Sequence, residues 1–283
     1  MNQARLTELD GLRGIAALAV VAFHYIYQYN TIYGHSFNVP EFFRFGSYGV
    51  HLFFMISGFV IYWTITKSVK PLDFVWSRFS RLYPVYWTAL IITFFVVHVF
   101  SLPGRETDVQ TFLMNFTMVQ SYFGYSDVDG AYWTLALELA FYFWMLLIFS
   151  LGQTRHIEKI LIFWVSTSSI LTYYKFGIEI SPIIKKIFLL DYIELFSAGV
   201  CFYQIRMKQQ TNYTKALLLL SGISIFSSYP TLTSVGLLLF FVIFFAVVFN
   251  KALLLRNPIL VYFGTISYSL YLIHQNIGYV VIN

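Results

Sequence analysis

Long apolar stretches fill most of the chain and are separated by short polar segments. A helix needs about 20 apolar residues to cross ~30 Å of hydrocarbon. Nine stretches approach that length, near 12–29, 48–66, 85–102, 132–152, 157–176, 187–206, 215–229, 231–250 and 259–282. The seventh is short, and Tyr229-Pro230 after it predicts a tight hairpin or one broken unit. The pattern predicts an all-α fold, a polytopic transmembrane helical bundle of about nine spans. Two connecting segments have length to spare. In Lys67–Pro84, Arg78 and Arg81 stand at i, i+3 among Phe74, Trp76 and Phe79. This predicts an interfacial amphipathic helix with a basic side. Leu102–Ala131 carries Glu106, Asp108, Asp127 and Asp129 and predicts a loop with a short helix near 112–119. With no linker, low-complexity tract or clear internal repeat, residues 1–283 are read as a single integral membrane domain.

Composition agrees: 58% of the 283 residues are hydrophobic and 11% charged, where a soluble domain carries about a quarter charged residues. The 31 Phe and 22 Tyr suit lipid-facing surfaces and interfacial belts, with aromatic ligand walls as the sharper alternative. A single cysteine, Cys201, excludes an internal disulfide or cysteine-rich metal site and reads as a small packing residue. The run Ile15–Phe23 has a signal-like look, but Glu8 and Asp10 precede it and His24 follows, so it is read as the first span.

Charge sets the expected orientation. With the N-terminus in the cytoplasm, thirteen of the eighteen Lys and Arg fall inside, and Arg44, Arg105, Lys175, Lys185 and Lys186 fall outside. The net charge of +5 is spread over short loops and points to no nucleic acid.

Ionisable groups at membrane depth are costly and usually functional. Arg13 and His24 are eleven residues apart, three helical turns plus about 20°, so they share one face about 16.5 Å apart. Taken singly, Arg13 reads as a snorkelling anchor and His24 as a helix–helix hydrogen bond; their alignment favours function. Such a face suits a long ligand with an anionic head at Arg13, Arg78 and Arg81 and a reactive end at His24. A pantetheine arm has that length, and the imidazole is a general base for an acceptor hydroxyl. Glu138, in the run Trp133–Glu138, is expected at the depth of His24, either orienting the imidazole or serving as structural glue. Glu194, near Asp191, is a weaker candidate for a cavity wall. His51 and His274 read as interfacial rather than catalytic. The pair Ser57-Gly58 and the glycines Gly11, Gly14, Gly46 and Gly49 read as sites of close helix packing. No nucleophile elbow, phosphate loop or metal-ligand cluster is present in the sequence.

Five ordered segments carry a family resemblance. Leu9–Tyr25 (LDGLRGIAALAVVAFHY), Tyr48–Phe59 (YGVHLFFMISGF), Arg78–Pro84 (RFSRLYP), Tyr132–Glu138 (YWTLALE) and Ser267–His274 (SYSLYLIH) together resemble the acyltransferase-3 family. These are bacterial inner-membrane O-acyltransferases that modify cell-envelope and exported polysaccharides. The resemblance implies about ten spans, an acyl-CoA donor (usually acetyl-CoA) taken from the cytoplasm, and a hydroxyl of a carbohydrate or lipid-linked glycan as acceptor. It implies that Arg13 and His24 are essential and that Arg78 and Arg81 form the family's paired arginines. No metal is implied. His51 stands where many members carry an aspartate. The chain ends at Asn283 without the family's last span, so a shortened member or a fragment is expected, with any extracytoplasmic partner domain supplied separately. The expected activity is O-acyl transfer, with His24 and Arg13 central and Glu138 supporting. The rival is a proton-coupled transporter with His24, Glu138 and Glu194 as relay, or a non-catalytic membrane scaffold. Acceptor sugar, acyl group and oligomeric state are not legible.

Overall fold

The computed structural model describes residues 6–174 and 179–283. Arg5 and Lys175, both used in the charge balance, lie outside the described residues, as does the end of the fifth expected span. Every regular element among the described residues is helical.

Among the described residues, five helices are long and apolar enough to cross a membrane: Thr7–Ile32, Glu41–Lys67, Pro71–Val99, Gly130–Ser150 and Thr231–Val248. They coincide with the first four and the eighth expected spans. The remaining four stretches are also helical: α7 (Ile157–Tyr174), α9 (Ile193–Arg206), α10 (Asn212–Ser228) and α12 (Pro258–Ile282). At 14 and 17 residues, α9 and α10 fall short of about 20. α12 has the length, at 25 residues, but carries the polar run His274, Gln275, Asn276.

Two expected boundaries change. The sixth stretch, 187–206, is broken: Leu189 turns the chain at φ 53°, and α9 starts only at Ile193. Side chains satisfy the carbonyls freed there. Trp164 donates to Phe188 O at 2.7 Å, Ser168 to Leu190 O, and Tyr229 to Asp191 O at 2.7 Å. The other change concerns Lys67–Pro84, which is no separate interfacial helix. α4 (Pro71–Val99) runs through Pro84 without a break. Proline removes one backbone donor; around it, Thr88 donates to Pro84 O and Tyr268 to Leu82 O. The long loop holds its short helix at Val109–Asn115, a little earlier than expected, because Asp108 caps it by accepting from Thr111 N at 2.7 Å.

The chain divides into two compact units, each assembled from separate segments. The first comprises the chain up to Val50, then Ser77–Ala136 and Leu255–Asn283; the second comprises His51–Trp76 and Leu137–Leu254. In the first unit, α1 (Thr7–Ala22) lies against α12, and the two run in the same direction. Asp10 meets Gly264, His24 meets His274, and Tyr29 donates to Asn283 at 2.7 Å. A Cβ at Gly264 would stand 1.8 Å from Asp10 O, and one at Gly14 2.1 Å from Leu260 O. Only glycine permits this backbone approach. A buried Glu8 accepts two bonds from Arg256 (2.9 and 2.6 Å) and ties the start of α1 to the turn before α12. In the second unit α9 is the centre, packed on α7, α10 and α11 (Thr231–Val248). Its Phe196 stacks on Phe141 at 4.3 Å, and Cys201 is a buried packing residue.

Candidate functional site

His24 sits where α1 changes character. From Phe23 to Gln28 the helix widens into a π-helical turn, then tightens again at α2 (Tyr29–Ile32). Such turns inside α-helices are rare and recur at functional sites. Arg13 and His24 thus lie on one continuous helix, and the ordinary α-helix between them reaches Ala22. The helical rise sets them about 16.5 Å apart along the axis.

The imidazole Nδ1 of His24 lies 3.0 Å from Val20 O, four residues back, and 2.9 Å from Nε2 of His274. The two rings meet edge to face, with centroids 4.8 Å apart. His274 is 1% exposed, and its own Nδ1 lies 2.7 Å from Tyr271 O. The interfacial reading of His274 is therefore corrected. It is buried at the helix–helix contact, and the ionisable group beside His24 in the first unit is a second histidine.

The loop before α6 (Trp133–Ser150) is clamped beside this pair. Asp129 accepts from Asn276 N and Ala131 N, each at 2.9 Å, while Asn276 Nδ2 donates to Val128 O at 2.9 Å. Tyr271 donates to Ala131 O at 3.1 Å, and its hydroxyl lies 2.9 Å from that of Thr134. The segments YWTLALE and SYSLYLIH, distant in sequence, are joined here. Burial pushes the Asp129 carboxyl up to about 6 in spite of two backbone N–H bonds that hold it down.

The other expected residues divide between the units. Arg13, Arg78 and Arg81 share the first unit with His24. Arg13 and Arg78 are half-buried and Arg81 is exposed, and Arg78 donates to Ser77 Oγ at 3.0 Å. Glu138 belongs to the second unit, half-buried, where its Oε1 accepts from Ser57 at 3.0 Å and from Tyr142. Ser57, read from sequence with Gly58 as a packing position, is thus a hydrogen-bond donor too. Gly58 does pack closely: a Cβ there would stand 2.0 Å from Phe196 O. Glu194 is fully buried in α9. His51 faces the rings of Tyr229 and Tyr192, at 5.3 and 6.1 Å. No group of three or more metal-ligating side chains occurs among the described residues.

Comparison with known proteins fits this arrangement of motifs. A family profile described as an acyltransferase domain matches residues 6–283. The chain belongs to the acyltransferase-3 family. Acyltransferase MdmB of Streptomyces mycarofaciens is 29% identical over 152 residues, covering 49% of this chain and 38% of MdmB. Exopolysaccharide production protein ExoZ of Rhizobium meliloti (strain 1021) is 43% identical over 58 residues, 20% of this chain and 16% of ExoZ. Protein 2 in picA locus of Rhizobium radiobacter is 35% identical over 114 residues, 37% of this chain and 54% of that protein. The matches thus span between about a sixth and about half of these relatives' lengths. No solved structure matches significantly. Within this acyltransferase-3 chain, the histidine eleven residues after Arg13 is the one paired with the buried histidine of α12.

Proposed function

We propose that this acyltransferase-3 chain moves an acyl group, acetyl in the first instance, from cytoplasmic acyl-CoA to a hydroxyl of a cell-surface or exported carbohydrate. The protein resides in the bacterial inner membrane, N-terminus inside, and residues 1–283 act as one membrane domain. Arg13, Arg78 and Arg81 hold the phosphates of the donor, for which guanidinium forks are well suited. His24 Nε2 takes the proton of the acceptor hydroxyl as its oxygen attacks the thioester carbonyl. The C–S bond then breaks, and the imidazolium returns the proton to the departing CoA thiolate. Glu138 supports this step. The observation that carries the reading is the placement of Arg13 and His24 on one helix, in the same unit as Arg78 and Arg81. The name of ExoZ, an exopolysaccharide production protein, supports the carbohydrate acceptor.

The test uses membranes containing the full chain, radiolabelled acetyl-CoA and the polysaccharide fraction of the host. Label should pass to polysaccharide, and His24→Ala should abolish transfer while CoA still binds. Arg13→Ala, Arg78→Ala and Arg81→Ala should each weaken CoA binding, since a charged hydrogen bond contributes roughly 1.5–3 kcal/mol. Unchanged CoA affinity in all three folded arginine variants removes the basic mouth from the mechanism. Proton flux without label transfer overturns the acyl-transfer reading in favour of a transporter.

A further inference from the structure

The proton inventory of the two histidines is decided by their neighbours. A backbone carbonyl oxygen only accepts, so the His274 Nδ1 that lies 2.7 Å from Tyr271 O must carry a hydrogen. A neutral His274 then presents a bare lone pair at Nε2. That lone pair faces His24 Nδ1 at 2.9 Å, and the same Nδ1 faces Val20 O at 3.0 Å. Two acceptors converge on one nitrogen, so His24 Nδ1 carries its hydrogen as a donor shared between them. The opposite assignment sets the Nδ1 lone pair against the Val20 oxygen. It also requires both nitrogens of His274 to be protonated, a full charge on a ring that is 1% exposed. One arrangement satisfies every atom: both rings neutral, both hydrogens on Nδ1, and the lone pair of His24 on Nε2.

We propose that His274 is the positioning residue for His24, accepting its Nδ1 hydrogen so that Nε2 is held as the basic nitrogen. This rests on the reading of His24 as general base. When the acceptor hydroxyl gives its proton to Nε2, the pair goes from neutral to a single positive charge, and no proton leaves it. The Nδ1 hydrogen of the imidazolium is then drawn further toward His274 Nε2, with the Val20 and Tyr271 oxygens at either end of the chain facing that charge. Return of the Nε2 proton to the CoA thiolate restores the neutral pair. In serine hydrolases a carboxylate behind the histidine does this work; here a second imidazole occupies that place. The π-helical turn contributes by setting the ring of His24 against α12.

The test separates the two nitrogens of His274. Gln at this position reaches as far as Nε2 and keeps an acceptor for His24; Asn reaches only as far as Nδ1 and keeps the contact to Tyr271 O. His274→Asn should lower kcat by roughly a hundredfold, within the range a general base contributes, with donor KM unchanged. His274→Gln should recover most of that loss. Equal activity of the two variants, or the better one being Asn, overturns the proposal by leaving only a structural role. Nitrogen-15 solid-state NMR of the full chain in lipid, with histidine labelled, gives a readout that needs no turnover. It should show both rings hydrogenated at Nδ1 and a through-hydrogen-bond coupling between His24 Nδ1 and His274 Nε2. A neutral His24 hydrogenated at Nε2 overturns the proposal. The spectrum does not depend on which substrates the protein uses, so a wrong acyl-transfer reading leaves it intact. A wrong pairing is exposed in it even where transfer proceeds.

Discussion

Glu138 illustrates how much a single side chain in an apolar helix depends on its donors. Its Oε1 accepts from Ser57 and Tyr142, bonds that make a carboxylate tolerable where water is scarce. The proposal that it supports His24 makes a kinetic prediction. Glu138→Gln should cut turnover roughly a hundredfold or more, and adding it to His24→Ala should cost little beyond the single change, because groups that act as a unit are non-additive. Single-turnover assays on both single variants and the double decide this; losses that simply multiply return Glu138 to a structural role. At this scale the placement of Arg13 and His24 on one helix was legible, because the apolar run between them is unbroken. It was not legible for His274. Nothing local to residues 267–274 says that this ring meets one 250 positions away. The available signal was its place at the end of a motif and within a span, where ionisable groups rarely face lipid.

Among the helices, hydrophobic length identified the elements well and their ends poorly. The run 187–206 is continuous in hydrophobicity, yet the backbone turns at Leu189 because Trp164, Ser168 and Tyr229 supply donors to the broken stretch. The segment Lys67–Pro84 reads as separate from the span that follows it, yet α4 continues through Pro84. In the first case tertiary hydrogen bonds decide what the local pattern leaves open. The π-helical turn at Phe23–Gln28 likewise has no counterpart in the apolar pattern. The glycine positions, in contrast, were read correctly from residue type, since Gly11, Gly14, Gly46, Gly49 and Gly58 each lie within contact of a neighbouring backbone. The closest approach yields a stability test. Gly264→Val places atoms where Asp10 O stands 1.8 Å from a Cβ, so α1 and α12 must separate. Overpacking of this kind costs about 1–3 kcal/mol or more. Thermal unfolding in detergent should show a lower midpoint than Gly222→Val, where a Cβ meets only Leu238 at 3.7 Å. Equal midpoints would contradict the close α1–α12 contact.

For the molecule as a whole, the parallel course of α1 and α12 constrains topology. If both cross the membrane, an odd number of crossings runs from the first to the last, and Asn283 emerges on the side where α2 ends. With the N-terminus proposed inside, cysteines at Thr107 and Asn283 should react with an impermeant reagent applied outside, while one at Val69 should be shielded. Labelling of intact cells checks this, and the reverse pattern sinks both the orientation and the cytoplasmic entry of the donor. The division into two units was not legible, because each unit draws on segments far apart in sequence.

The same parallel contact has a consequence for the timing of biosynthesis. Helix α1 leaves the ribosome well before its partner α12. At about 5–20 residues per second, the 250 positions between His24 and His274 correspond to roughly 12–50 s of synthesis. Throughout that interval the glycine groove of α1 is open and His24 has no second imidazole to meet. The histidine pair is therefore completed only once α12 has been made, and a nascent chain interrupted before Pro258 lacks it altogether.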